Sequence, residues 1–167
     1  GGMAALTARS LAAELGSSAK PVFGLFENMQ EVQDEVVRAA NAEYQFFLRA
    51  EMMRGAYPPY KASGMAYIAF ARKEKELFKL LFMRDRTEED LETEDESIDG
   101  IIALISRNTG LSNEDARLFH LEMWIFVHGI ATMIVTGYLD WEEEYVSRTL
   151  TDVYEGLKAR WCGGNGK

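Results

Sequence analysis

The side chains of this sequence best placed for chemistry are His120, Trp124 and His128, which follow one another at i, i+4 and i+8. On a helix that spacing puts all three on one face. Histidine pairs can hold a metal, move a proton or accept a hydrogen bond. These two stand about 12 Å apart along a helix axis, too far to chelate one ion together. Each therefore reads first as a hydrogen-bonded core histidine and second as a ligand contact. The single cysteine, Cys162, can form no internal disulfide and no cysteine-based metal site. The acidic groups Glu88-Glu89 and Glu94-Asp95-Glu96 lack the His-bearing helical spacing of a di-metal carboxylate bundle. No Ser–His–acid set, P-loop or glycine-rich phosphate loop is present. We expect no enzyme, no catalytic residue, no metal and no cofactor. Met65, Tyr67, Phe70, Phe78, Phe82, Met83, His120, Met123, Trp124 and His128 supply instead the aromatic and methionine walls, with few polar groups, that small-molecule pockets use. The expected pocket is Tyr67, Phe70, Phe82, His120, Met123, Trp124 and His128.

Elements long enough to position such groups fit within 167 residues, as one domain or as a small one joined to a larger one. Apolar residues at 47% and charged residues at 27% match a soluble globular chain. Only Pro21, Pro58 and Pro59 interrupt it, so most of the length is free to be helix. The lone cysteine fits a reducing compartment, and no basic start followed by an apolar core opens the chain, so a cytoplasmic protein is expected. Met123 to Leu139 is apolar apart from His128, Thr132 and Thr136. It is short for a bilayer and flanked by Glu122, Asp140 and Glu142 to Glu144 instead of Lys or Arg. A helix buried by protein, with no membrane, is the expectation. The net charge of −9 argues against a protein that coats nucleic acid non-specifically, but leaves room for a small local contact. Its acidity gathers at Glu88 to Asp99 and Glu142 to Glu144, whereas Gly1 to Leu25 carries only Arg9, Glu14 and Lys20.

Periodicity then orders the chain. Thr7 caps a short helix to Leu15, stopped by Gly16. A second short helix spans about Ser18 to Leu25, with Pro21 in its first turn, where a missing N–H costs little. Two short helices joined by a Gly-containing turn describe a helix-turn-helix, with Leu11, Leu15 and Val22 filling the angle. Asn28 caps a long helix to about Arg54. Gly55 to Pro59 breaks the chain. A block from Tyr60 to Met83 follows, bent near Lys73 to Lys75. Glu88 to Glu96 reads as a mobile loop. Further helices cover about Ser97 to Asn108, Ser112 to Gly137 and Asp140 to Trp161. No strand-like alternation appears, so the fold class is all-α. The domain expectation is a helix-turn-helix segment at 1–28, a linking helix at 29–54, a helical ligand-binding and dimerisation domain at 55–162 and a disordered tail at 163–167.

Two stretches carry a family resemblance. Leu6-Thr-Ala-Arg-Ser-Leu-Ala-Ala-Glu-Leu-Gly16, with Ser18-Ala-Lys-Pro-Val-Phe-Gly-Leu-Phe26 and Glu27-Asn28-Met29, resembles the second and third helices and the start of the linking helix of the TetR/AcrR transcriptional regulators. Trp124-Ile-Phe-Val-His128-Gly129 is similar to a Trp…His-Gly signature of one class of their ligand-binding domains. The resemblance implies double-stranded DNA as partner, with Ser18 to Leu25 as the recognition helix in the major groove. Lys20 would reach a base edge or phosphate, with Ala19 and Phe23 on the same helix. Ser17 and Ser18 would donate to phosphates, while Thr7 and Arg9 would touch the backbone and position without specifying. Three departures stand out: the sequence opens at Gly-Gly-Met-Ala-Ala-Leu, which resembles the tail of the loop after the family's first helix, so that upstream residues would have to supply that helix; Phe23 replaces a common tyrosine; and Glu27-Asn28-Met29 replaces a common lysine.

The Ser112–Gly137 helix is apolar on nearly every side and so must be buried on nearly every side. Val146, Leu150, Val153, Leu157 and Trp161 recur at spacings of four, three, four and four on the last helix. Two such helices from each of two subunits would make a four-helix interface; a single large monomer core is the alternative. A symmetric pair would set its recognition helices roughly 34–36 Å apart and read a palindromic operator. An unknown small-molecule effector would release a homodimeric repressor by binding one of its states better than the other. The competing expectation is a protein–protein adaptor of the same fold that has lost DNA binding.

Overall fold

The computed structural model describes residues 5–18, 20–84 and 95–163, with 95–97 as backbone alone. The expectations for Ala19, for the acidic stretch 88–94 and for the tail at 164–167 lie outside the described residues. Seven α-helices are seen among them: α1 (Ala8–Glu14), α2 (Met29–Met53), α3 (Pro59–Lys73), α4 (Lys75–Phe82), α5 (Asp95–Thr109), α6 (Asn113–Val135) and α7 (Glu143–Gly163). No strand is present among the described residues, and the fold is all-α.

The helix starts follow from side chains that satisfy the first free N–H groups. Thr7 Oγ1 accepts from the Ser10 N–H at 3.1 Å, and Ser10 Oγ accepts from the Thr7 N–H at 2.9 Å, a reciprocal capping box. Asn28 Oδ1 accepts from Glu31 N–H at 3.0 Å, and Ser112 Oγ accepts from Asp115 N–H at 3.1 Å. Pro59 sits in the first turn of α3, where it sacrifices no hydrogen bond. At 25 residues α2 is about 37 Å long. Asn28→Ala removes its only side-chain cap and is expected to cost roughly 0.5–2 kcal/mol. Urea unfolding should record a lower midpoint at unchanged slope.

The expected bend near Lys73 to Lys75 is a break at Glu74, where φ −118° and ψ 56° leave the helical region and start α4 in a new direction. Helix α3 occupies the centre and packs against α2, α4, α5, α6 and α7. It buries Ala62, Met65, Ala66, Tyr67, Ile68, Phe70 and Ala71. Small residues bring its neighbours close: a Cβ added at Gly64 would meet Leu150 Cδ2 at 3.2 Å and Val127 Cγ2 at 3.4 Å. One core lies where α2, α3, α4, α6 and the start of α7 meet. A second, smaller one joins α5 to α6 and the later turns of α7 around Ile105, Ala116 and Phe119.

Helix α6 is long and apolar enough to cross a membrane by composition alone, but eight of its residues are buried against the other helices. Its apolar character does not end at the core. Leu118, Leu121 and Ile125 face outward and are about half exposed, Ile125 at 59%. The stripe on α7 turns the other way. Val146 and Leu150 are buried within the protomer, and Val153, Leu157 and Trp161 pack against the second core. Val146 and Leu150, expected at a subunit interface, are thus taken up by the chain's own core, while Val153, Leu157 and Trp161 stay partly exposed.

The N-terminus departs from the sequence reading. Among the described residues of 18–25 no α-helix forms, and the helical turn there is a 3-10 turn at Val22–Gly24. Eight residues cannot sustain a helix without packing, and here Pro21 removes a donor while Gly24 adds backbone entropy. Leu11, Leu15 and Val22 share one groove. With Phe26, Val32 and Val36 they line an open apolar groove of about 370 Å³ between α1 and α2, and Leu15 is 54% exposed.

Candidate functional site

Both histidines face tyrosines of α3. The Tyr60 hydroxyl meets His120 Nδ1 at 3.1 Å, and the Tyr67 hydroxyl meets His128 Nδ1 at 2.9 Å. The two bonds lie two helical turns apart and rise together along the chain, so α3 and α6 run in the same direction where they meet. Burial pushes the pKa of both tyrosine hydroxyls up, which keeps them protonated. In the arrangement where each hydroxyl donates to Nδ1, the imidazole carries its proton on Nε2. The reading of His120 and His128 as hydrogen-bonded histidines fits this geometry, and each has its own tyrosine partner.

Around Tyr67 the expected pocket residues converge. Tyr67 packs on Phe78 at 5.3 Å and Phe82 at 5.0 Å between ring centroids. Tyr44 of α2 stands edge-on to Phe70 at 5.0 Å and to Phe82 at 5.1 Å. Phe47 closes the far side at 5.5 Å from Phe70. Such edge-to-face contacts contribute about 0.5–1.5 kcal/mol each beyond burial. His128 completes the group, lying over Phe78 at 5.9 Å and 25°. Among the described residues no charged side chain is buried. The wall is therefore aromatic and neutral, with the Tyr67–His128 bond as its polar feature.

Three expected residues stand elsewhere. His120 belongs to the second core, with Tyr60, Phe119 and Tyr154 around it. Met123 is buried in that same core. Trp124 is 40% exposed and stacks face to face on His128 at 4.8 Å and 15°, so it forms the outer lid of the cluster. Tyr44, Phe47 and Tyr60 were missed by sequence reasoning. The signal available for Tyr60 was its seven-residue spacing from Tyr67, close to the eight between His120 and His128.

Burial also holds both imidazoles below their ordinary value of 6.5. A histidine whose folded pKa is depressed stays neutral while the unfolded chain takes up its proton. Folding stability from this source is full above about pH 6.5 and lost as pH falls toward the folded values. Urea unfolding between pH 7.5 and 5.5 should therefore show falling stability, with a shallower fall in His120→Gln. An equal slope in that variant would remove His120 from the account.

In the N-terminal segment, Arg9, Ser17, Ser18, Lys20 and Phe23 are all exposed on and after α1, and Thr7 is exposed with its hydroxyl engaged in the helix cap. Lys20 stands just before the 3-10 turn, without the helical frame expected of it. Residues 60–154, more than half of the chain, match the family model for a tetracyclin repressor-like C-terminal domain. No curated protein and no solved structure matches.

Proposed function

The chain belongs to the tetracyclin repressor-like family of transcriptional regulators, and on that premise we propose that it is a homodimeric repressor whose N-terminal segment reads a palindromic operator and whose helical domain releases it when a small molecule binds. It works in the cytoplasm and catalyses no reaction. The observation that carries the reading is the outward stripe of α6. Leu118, Leu121 and Ile125 are exposed at helical spacing, with Trp124 and Met133 beside them, and the face continues to half-buried Gly129 and Thr132. Contiguous exposed apolar surface of this kind marks a protein–protein contact. A self-complementary stripe on a twofold axis pairs α6 with its own copy. A Cβ added at Gly129 meets nothing within 4 Å in the protomer. That gap allows the second α6 to approach closely.

The effector site is the aromatic cluster around Tyr67. Its neutral walls favour an uncharged, ring-bearing molecule that exchanges hydrogen bonds with Tyr67 and His128, since a buried charge without a partner is costly. Lys20, Arg9, Ser17 and Ser18 make the DNA contacts, with Thr7, Ala19 and Phe23 beside them. Light scattering is expected to give twice the protomer mass of 18.9 kDa; a single protomer at micromolar concentration would overturn the dimer.

A second reading has an observation of its own. The N-terminal segment presents only Arg9 and Lys20 as cations and a 3-10 turn where a recognition helix was expected. A protein–protein adaptor of this fold needs nothing more. Salt separates the two: a regulator loses DNA affinity steeply between roughly 50 and 200 mM salt, and an adaptor has none to lose.

A further inference from the structure

His128 lies at the edge of the outward face of α6 and belongs to both sides of it. On the inside its Nδ1 meets the Tyr67 hydroxyl at 2.9 Å and its ring lies over Phe78. On the outside it stacks at 4.8 Å on Trp124, whose own outer surface is partly open. We propose that pairing of two copies is opposed by acid through His128: a second copy laid on α6 covers the Trp124–His128 stack, so the imidazole must be neutral for the pair to form. This rests on the reading of the outward α6 stripe as the subunit interface.

Among the described residues, those facing the ring carry no charge that would compensate a proton. Helix α3 presents Tyr67, with Tyr44 of α2 6.1 Å behind it, and both hydroxyls are held protonated by burial. Helix α4 presents Phe78, while its charged Lys75, Glu76 and Lys79 are exposed. Helix α6 itself presents Trp124. Burial is the cause of the depressed pKa of His128 in the protomer, and removing the remaining water lowers it further. Linkage is reciprocal: if pairing weakens proton binding, the proton weakens pairing by the same factor. Each pair holds two such rings. The dissociation constant of the dimer therefore rises by up to about 100-fold per pH unit between the two pKa values of the ring. His120, enclosed by Tyr60, Phe119 and Tyr154 in the second core, takes no part.

Sedimentation of the full chain from pH 8 to pH 5 tests this. The expected result is a dimer that loses affinity steadily as pH falls toward 5, with the slope lost in Tyr67→Phe/His128→Phe. That double variant replaces both bonding partners by apolar rings of the same shape. A dimer of constant affinity, or an unchanged slope in the double variant, overturns the proposal and leaves the dimer standing. A monomer at every pH overturns both. An NMR titration of His128 in the parent dimer and in the Ile125→Arg protomer reads the ring directly, whatever the double variant does. A lower pKa in the dimer is expected, and equal values overturn the proposal.

Discussion

Ile125→Arg is expected to leave the protomer folded and to abolish the dimer. Ile125 is the most exposed apolar residue of the α6 stripe, so its replacement removes no core contact. In the pair, two guanidinium groups would face each other near a twofold axis. Leu118, Leu121, Gly129 and Thr132 cannot take up the charge, and Glu122, three residues before Ile125, is already engaged by Arg160 and Trp161. An uncompensated charge buried in an interface costs about 3–5 kcal/mol, or roughly 10²–10⁴-fold in dissociation constant. Operator affinity falls with it, because a palindrome is held by two linked half-site contacts and each protomer supplies one. Light scattering and urea unfolding together check the result: protomer mass with parental unfolding of the isolated protomer. A variant that still dimerises would move the interface off α6.

Phe78→Ala is expected to have the largest effect on the protomer itself. The ring is fully buried and contacts Tyr67, Phe82 and His128 with centroids 5.3, 5.0 and 5.9 Å away. Truncating such a ring costs about 3–5 kcal/mol in transfer and cavity terms. Domains of this kind are stable by about 5–15 kcal/mol, so a large fraction is lost. Phe46→Ala is the matched control: at 65% exposure that ring can lose little. Urea midpoints of the two variants should differ clearly. Equal midpoints would show that α4 contributes little to the core that holds His128.

Much of the helical order was legible because it depends on local chemistry. Thr7, Asn28 and Ser112 announce helix starts through side-chain oxygens that only a cap uses well, and Lys73 to Lys75 marks a bend by interrupting an apolar run. The pairing of helices is not local. Nothing in the spacing of Val146, Leu150, Val153, Leu157 and Trp161 says whether that stripe meets its own core or a second chain. The all-round apolar character of α6 does say that more than one neighbour is needed. Its inner half is satisfied by α3, α5 and α7, and the remainder carries the proposed interface. The short helix at 18–25 was misread for a related reason. Helical spacing there is compatible with a helix, but Pro21 and Gly24 leave it dependent on packing that the open groove beside α1 does not provide. In the site, the histidines were recognisable as hydrogen-bonding residues from their spacing. Their tyrosine partners were not, because Tyr60 and Tyr67 lie about 60 residues away and meet them only through the parallel docking of α3 on α6.

The central claim is that this chain reads DNA as a symmetric pair. Selection from random double-stranded DNA, at low salt and with the protein shown to be folded and dimeric, tests it most directly. The account predicts recovery of a palindrome with half-sites about one helical turn apart, bound by the parent and lost in Lys20→Ala and Ile125→Arg. A folded dimer that enriches no sequence would contradict DNA reading and leave the adaptor as the function of the fold.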